Sequence, residues 1–478
     1  QAVMTHANVG AANALIGLIG AARMGIPLIF ISGMTSSSER GSRGAPGHRD
    51  KLIHWSQDAR DHAGIYRPYV KWEAELRDPS AIYDLLDRAH AIACTPPFGP
   101  VAISVSRDLL MSPVRSAFPP RPGVQAAQAP APDPAALSTL LGWLRSAERP
   151  LVVTNRAGAD PACARLLAEV AERHGIGVLT PEDFYASFPS DHPCHLGFKV
   201  GPALREADLV LVLDTDAPWF PLEEGPVDGA RVVHVGPDPL FTSLPLRSHR
   251  GDLFMTTSLR AFLGALGAER PNEPVLPSRR QWIRSRKPEA PVPADRFDAE
   301  AVSSVLSEFL ADGNTVLINE LGLSPSALGR LQPGQYFRSG SASPLGWGAG
   351  CALGIAMADR SKTVIAALGD GVFYLSPALG TLLVSAERDA PILLLILNNG
   401  GMRSIAKSAR AFYPATGSAP PLTRFYSEGI RIEKCAELVS GLGLRAGSAN
   451  ELRDGLATGL AFLREKRRPV VIDAVLSG

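Results

Sequence analysis

Two short polar segments, each closing an apolar run, constrain this chain more than any other feature. Residues 363–368 lead into Gly369-Asp370-Gly371, and residues 391–397 lead into Asn398-Asn399-Gly400-Gly401. Both runs have the length and composition of buried parallel strands. The stretch 372–389 between them reads as one helix. The result is a strand–helix–strand unit with glycine-rich polar turns at the carboxyl ends of its strands, where open α/β sheets bind ligands. The residue types suit a particular ligand. Asp370 offers a carboxylate, Asn399 an amide oxygen and Gly401 an unobscured backbone carbonyl. Three oxygens from two loops suit Mg²⁺, which shares its coordination sphere with substrate phosphates. The glycines let backbone N–H groups approach a diphosphate, and Gly371 and Val372 present theirs at a helix start.

The 478 residues exceed what one core can organise, so roughly two to four domains are expected. A net charge of +1 gives no footprint for nucleic acid or an anionic membrane surface. No apolar run reaches the ~20 residues of a membrane span. The five cysteines are odd in number and contain no CxxC pair, which points to reduced thiols in a cytoplasm. Three α/β blocks, 1–114, 133–266 and 296–478, are separated by proline-rich stretches at 112–134 and 267–295. Strands are expected at 1–4, 27–32, 100–105, 150–154, 209–214, 231–235, 315–319, 363–368, 391–397 and 469–475. This alternation predicts an α/β fold of three doubly wound parallel-sheet domains.

The paired motifs resemble the magnesium–diphosphate signature of thiamine-diphosphate (ThDP) enzymes, and the resemblance extends over essentially the whole chain. It is strongest to the branch holding acetolactate synthase, 2-oxo acid decarboxylases and benzoylformate decarboxylase. It implies a pyrimidine-binding, a middle and a diphosphate-binding domain, with Asp370, Asn399 and the Gly401 carbonyl holding Mg²⁺. It also implies a homodimer or homotetramer with the active site at the subunit interface. A first strand–helix–strand portion, carrying the glutamate that activates the cofactor, is expected to precede Gln1.

Further residues follow from the same resemblance. In Ser341-Ala342-Ser343-Pro344-Leu345-Gly346-Trp347-Gly348, Leu345 stands where the family wedges the cofactor into its bent shape. The Ser343 carbonyl stands where the exocyclic amine is accepted. The turn Asn319-Glu320-Leu321-Gly322 is expected to face the diphosphate, and Gly369, Gly371, Val372 and Met402 to line the cofactor. All ten histidines precede residue 250, so any imidazole acid–base group comes from the first two blocks. His6 aligns with the active-site histidine of benzoylformate decarboxylase. The family's second histidine is replaced by Asp298. Met402, Ser404, Ile405 and Ser408 are expected to face substrate, and 410–424 to form a lid. His192-Pro193-Cys194-His195 lacks a second ligand pair and is not read as a metal site. Asp214–Trp219 lies where acetolactate synthase binds FAD, but the arginine-containing pattern is not evident, so FAD is unsupported.

The implied reaction makes or breaks a C–C bond next to a carbonyl of a 2-oxo acid or aldehyde, with His6 shuttling protons. Decarboxylase/carboligase is the leading reading. The alternatives are an acetolactate-synthase-type carboligase and a non-catalytic ThDP-binding protein. A dinucleotide oxidoreductase is disfavoured, because no strand–GxGxxG–helix with a following ribose acid stands out.

Overall fold

The structure is a computed structural model that describes residues 1–40, 47–113, 123–222, 224–269, 275–288, 296–413 and 429–477. The chain divides into two compact units: Gln1–Pro130 with Gly340–Pro344, and Ala131–Ser339 with Leu345–Gly478. The first holds β1 (Ala2–Thr5), β2 (Leu28–Met34), β3 (Glu73–Leu76) and β4 (Pro100–Ser106), ordered β1-β2-β4-β3. The Ala7–Met24 helix packs Ala11 and Leu18 against Phe30 and Ala102 on one face. The Ile82–Ala93 helix packs Ala89 and Ala93 against Val101 and Ile103 on the other.

The second unit holds two sheets. One contains β5 (Pro150–Thr154), β6 (Gly177–Leu179), β7 (Leu209–Leu213), β8 (Arg231–Gly236) and β9 (Leu253–Thr256), ordered β6-β5-β7-β8-β9. The other contains β10 (Thr315–Glu320), β11 (Tyr336–Arg338), β12 (Thr363–Gly369), β13 (Leu393–Asn398), β14 (Leu442–Ala446) and β15 (Val470–Val475). Its order is β11-β10-β12-β13-β15-β14. Every pairing among the described strands is parallel. Leu317, Leu393, Leu395 and Ile472 pack under the Ala299–Ser307 and Ala449–Lys466 helices. Ile318, Val364, Leu394 and Ile396 pack under the Trp347–Ala358 and Ala378–Glu387 helices. Burial on both faces explains why these strands are apolar runs. The expected fold of three parallel α/β sheets is borne out.

Three expectations are corrected. The stretch 372–389 is two helices, Asp370–Leu375 and Ala378–Glu387, broken at Ser376-Pro377. Pro377 has no N–H to continue the first helix and disfavours helical geometry at Ser376. The stretch 267–295 is not all linker, because Pro277–Ser285 forms a helix that buries Trp282 and Ile283 in the middle core. Its buried Arg279 donates to the carbonyls of Ala147 and His174, both at 2.8 Å. The turn expected at Asn319-Glu320 is instead the end of β10. Residues 114–122, 270–274 and 289–295 of the two proline-rich stretches lie outside the described residues, as do residues 414–424 of the expected lid.

Among the described residues no helix is long and apolar enough to cross a membrane. None of the five cysteines is in a disulfide.

Candidate active site

In the last sheet the strand order reverses between β10 and β12. The carboxyl ends of β10, β12 and β13 deliver Glu320, Asp370 and Asn398 there. Asp370 is buried and joins the two signature loops. Its Oδ1 accepts from the Gly371 N–H at 2.8 Å, and its Oδ2 from the Gly401 N–H at 2.9 Å. The Asn399 Oδ1 is buried with no hydrogen-bond partner. The Gly401 carbonyl accepts from the Arg403 N–H at 3.0 Å, which leaves it a lone pair. Gly400, between them, sits at φ 79°, in the left-handed region that glycine adopts at least cost. An unpaired buried acceptor costs about 1–3 kcal/mol. A cation that prefers oxygen ligands would satisfy the Asn399 oxygen, so these residues fit Mg²⁺. Of the two N–H groups expected to meet an anion, at Gly371 and Val372, the first has a partner within the chain. The Gly371 N–H is already taken by Asp370, and its helix, Asp370–Leu375, is short.

Successive residues of β10 point to opposite faces, and both expected cofactor contacts are engaged by the chain itself. Asn319 donates from Nδ2 to the Tyr336 hydroxyl at 3.0 Å. Glu320, 1% exposed, reaches the start of the Trp347–Ala358 helix. Its Oε1 accepts from the N–H groups of Gly346 (2.6 Å) and Trp347 (3.2 Å), and its Oε2 from that of Gly348. This helix has no side-chain cap at its own Gly346, so Glu320 satisfies its orphan donors from another strand. A Cβ at position 348 would stand 2.7 Å from Glu320 Oε2 and from Leu368 Cδ2, so glycine is what admits the carboxylate. Leu345 immediately precedes this gripped segment and is half-buried against the same core.

His6 and Ser343 belong to the first unit. His6 is exposed at the end of β1 and makes no capping bond to the helix it precedes. Ala7 (φ 52°), Leu321 (φ 65°) and Ser343 (φ 40°) are non-glycine residues in the left-handed region, each beside or at a candidate residue. Such backbone costs on the order of 1–3 kcal/mol and collects at functional sites. Met402 lies against Gly371, its Cγ 3.4 Å from where a Cβ would stand. Ser404, Ile405 and Ser408 are exposed on the Arg403–Phe412 helix, which buries Ala406.

Other candidates have structural roles. Asp298 caps the Ala299–Ser307 helix, accepting from Glu300 and Ala301 N–H groups at 3.0 Å. His195 is buried against Thr180 Oγ1 (3.0 Å) and the Ser190 carbonyl, and burial pushes its pKa down to about 4. Among the described residues no group of three or more His, Cys, Asp or Glu could hold a metal. Beyond β7, Arg247 donates to the carbonyls of Asp216 (2.7 Å) and Thr215 (3.1 Å), and Arg156 pairs with the Asp216 carboxylate.

The family model for the thiamine pyrophosphate enzyme C-terminal TPP-binding domain matches residues 322–474, and that for the central domain matches 137–266. Together they span more than half of the chain. The protein belongs to the thiamine pyrophosphate enzyme family. Thiamine pyrophosphate is another name for ThDP, so the resemblance read from the two motifs is borne out. Among its relatives in the family is the glyoxylate carboligase of Escherichia coli O157:H7, 23% identical over 97% of this chain and 80% of that protein. Another is the benzoylformate decarboxylase of Pseudomonas aeruginosa, 27% identical over 83% of this chain and 74% of that protein. The crystal structure of benzoylformate decarboxylase from Polynucleobacter necessarius shares the fold at 20% identity, with a TM-score of 0.80 over 100% of this chain and 87% of that one. This thiamine pyrophosphate enzyme is thus related to both carboligases and 2-oxo acid decarboxylases. Two residues at the site escaped the sequence reading as functional: Asn398 and its partner Asp473, an acid inside an apolar strand.

Proposed function

We propose that this thiamine pyrophosphate enzyme acts with Mg²⁺ on a 2-oxo acid or aldehyde, making or breaking the C–C bond next to the carbonyl, with decarboxylation as its primary reaction. The observation carrying the proposal is the bond from the Gly401 N–H to Asp370, which ties the two signature loops together, with the buried Asn399 oxygen unpartnered in the second loop. In this reading Asp370, Asn399 and the Gly401 carbonyl would hold the metal, which would neutralise charge on the diphosphate. ThDP, when bound, would supply an electron sink for the bond made or broken next to the carbonyl. Leu345 would support the bound cofactor, and the Ser343 carbonyl would accept from its exocyclic amine. Glu320 and Asn319 act by holding backbone and β-strand ends in place. His6 moves a proton to or from the reacting carbonyl. Met402, Ser404, Ile405 and Ser408 lie on the substrate side, and the working form is a homo-oligomer. FAD is not part of this reading.

The test is CO₂ release from pyruvate, benzoylformate and longer 2-oxo acids with ThDP and Mg²⁺. Release above a protein-free control is expected, with the best substrate sizing the pocket. Silence on every acid, with ligation of aldehydes instead, would replace decarboxylation by carboligation. No turnover of either kind would leave a ThDP-binding protein without catalysis. In the same assay, His6→Ala should lower kcat by about 10²–10⁴-fold, the usual worth of a positioned acid–base group. Its ThDP affinity should not change, and a wild-type rate would return His6 to a helix-start residue.

A further inference from the structure

We propose that Asp473 is a positioning residue for the loop that holds the metal, acting through Asn398. The inference rests on the reading above in which Asn399 and Gly401 ligate Mg²⁺.

Asp473 is 0% exposed and is the one acid in β15, Val470–Val475. The parallel register sets it opposite Ile396, so its side chain shares a sheet face with that of Asn398, two residues on. Asn398 Nδ2 donates to Asp473 Oδ1 at 2.9 Å. A carboxylate accepts only, so it fixes which way the amide faces. The NH₂ must turn to Asp473, and the oxygen must turn toward the loop. There Asn398 Oδ1 accepts from the Gly400 N–H at 3.1 Å. The Asn398 carbonyl also accepts from the Leu476 N–H at 2.8 Å, so the end of β15 grips the residue by backbone and by side chain. The next residues are Asn399, with its unpartnered oxygen, and Gly401, bonded to Asp370. The orientation of the Asn398 amide therefore sets where the loop starts.

This acid is costly where it stands. Its Oδ2 has no hydrogen-bond partner, and Arg445 Nη1 stands off at 3.9 Å. Burial opposes its ionisation, and Glu433, also buried with an unpartnered oxygen, and Asp370 add to that. An aliphatic side chain would suit the strand better. What it could not provide is the acceptor that orients Asn398.

The test exchanges donor and acceptor. Asn398→Asp sets two carboxylates face to face. Combining it with Asp473→Asn restores one donor and one acceptor, with the Gly400 N–H still accepted at position 398. The readout is the Mg²⁺ concentration needed for ThDP binding, followed by calorimetry, alongside the melting temperature of the metal-free proteins. Asn398→Asp should raise that concentration about 10–100-fold, the usual effect of losing a group that orients a ligand. The double variant should return to within about threefold of wild type, as expected of a directly coupled pair. If Asn398→Asp does not fold, Asn398→Ala should give the same loss. Unchanged Mg²⁺ dependence in the single variants overturns the proposal, as does a folded double variant that fails to recover. Wild-type protein that binds ThDP without Mg²⁺ overturns the metal assignment itself, and the proposal with it.

Discussion

Asp370→Ala is expected to abolish Mg²⁺-dependent ThDP binding. Asp370 is the single anionic group among the three proposed ligands, and its two oxygens tie Gly371 to Gly401 across the paired loops. Alanine therefore removes a ligand and releases the Gly401 N–H that fixes a second one. Losing a group that merely orients a ligand costs about 10–100-fold in metal affinity. Losing the charged ligand and the tether together should cost at least about 100-fold, on the same scale. Asp370→Asn keeps one acceptor at nearly the same volume and should fall between. Titrations of ThDP at saturating Mg²⁺ and in excess chelator check this. An alanine variant that retains the Mg²⁺-dependent gain in affinity would remove Asp370 from the metal site.

Glu320 carries the second large effect. Burial pushes its pKa up from 4.5 to about 7, against the three N–H groups that favour the carboxylate. Between those pH values the folded protein holds a proton that the unfolded chain has released. The group's contribution to stability is therefore largest below pH 4.5 and falls as pH rises to 7. At about 1.4 kcal/mol per pKa unit, the loss is about 3 kcal/mol. Glu320→Gln cannot titrate, so its stability relative to wild type should climb by that amount from pH 4.5 to 7. Denaturant midpoints across this range would show it, and parallel pH curves would contradict it. The amide also turns donors toward backbone N–H groups. The variant should thus loosen Gly346–Gly348, and with them Leu345, at every pH.

Much of this molecule is legible in its residues. The long central strands are visible because burial on two faces makes Leu393–Asn398 or Leu209–Leu213 an unbroken apolar run. The strands β3, β6, β9, β11 and β14 are not, because they are short and sit at or near sheet edges. Glu73–Leu76 alternates glutamate with apolar residues and resembles loop. The break at Pro377 lies between two apolar helical stretches, Asp370–Leu375 and Ala378–Glu387, whose patterns run on from one another. At the site, the pairing of Asp370 with the Asn399 loop follows from motif spacing. The aim of Glu320 does not, since it depends on β10 running one residue beyond the expected 315–319. Asp473 did carry a signal, since an acid inside Val-Val-Ile-Asp-Ala-Val is expected only where something nearby needs it.

Among the described strands every pairing is parallel, which bears on how the chain reaches this state. Parallel neighbours cannot be joined by a tight hairpin, so no sheet can start from a local two-stranded nucleus. Each pairing waits for a crossover to close, which makes the search slow and leaves apolar strand edges open to aggregation meanwhile. The strand β13 is made well before β15, the neighbour that holds Asn398. A chain in which β15 has not yet docked would lack the partner that orients Asn398 at the start of the loop proposed to hold the metal. Slow synthesis at low temperature should accordingly raise the yield of cofactor-competent protein more than added Mg²⁺ during refolding does.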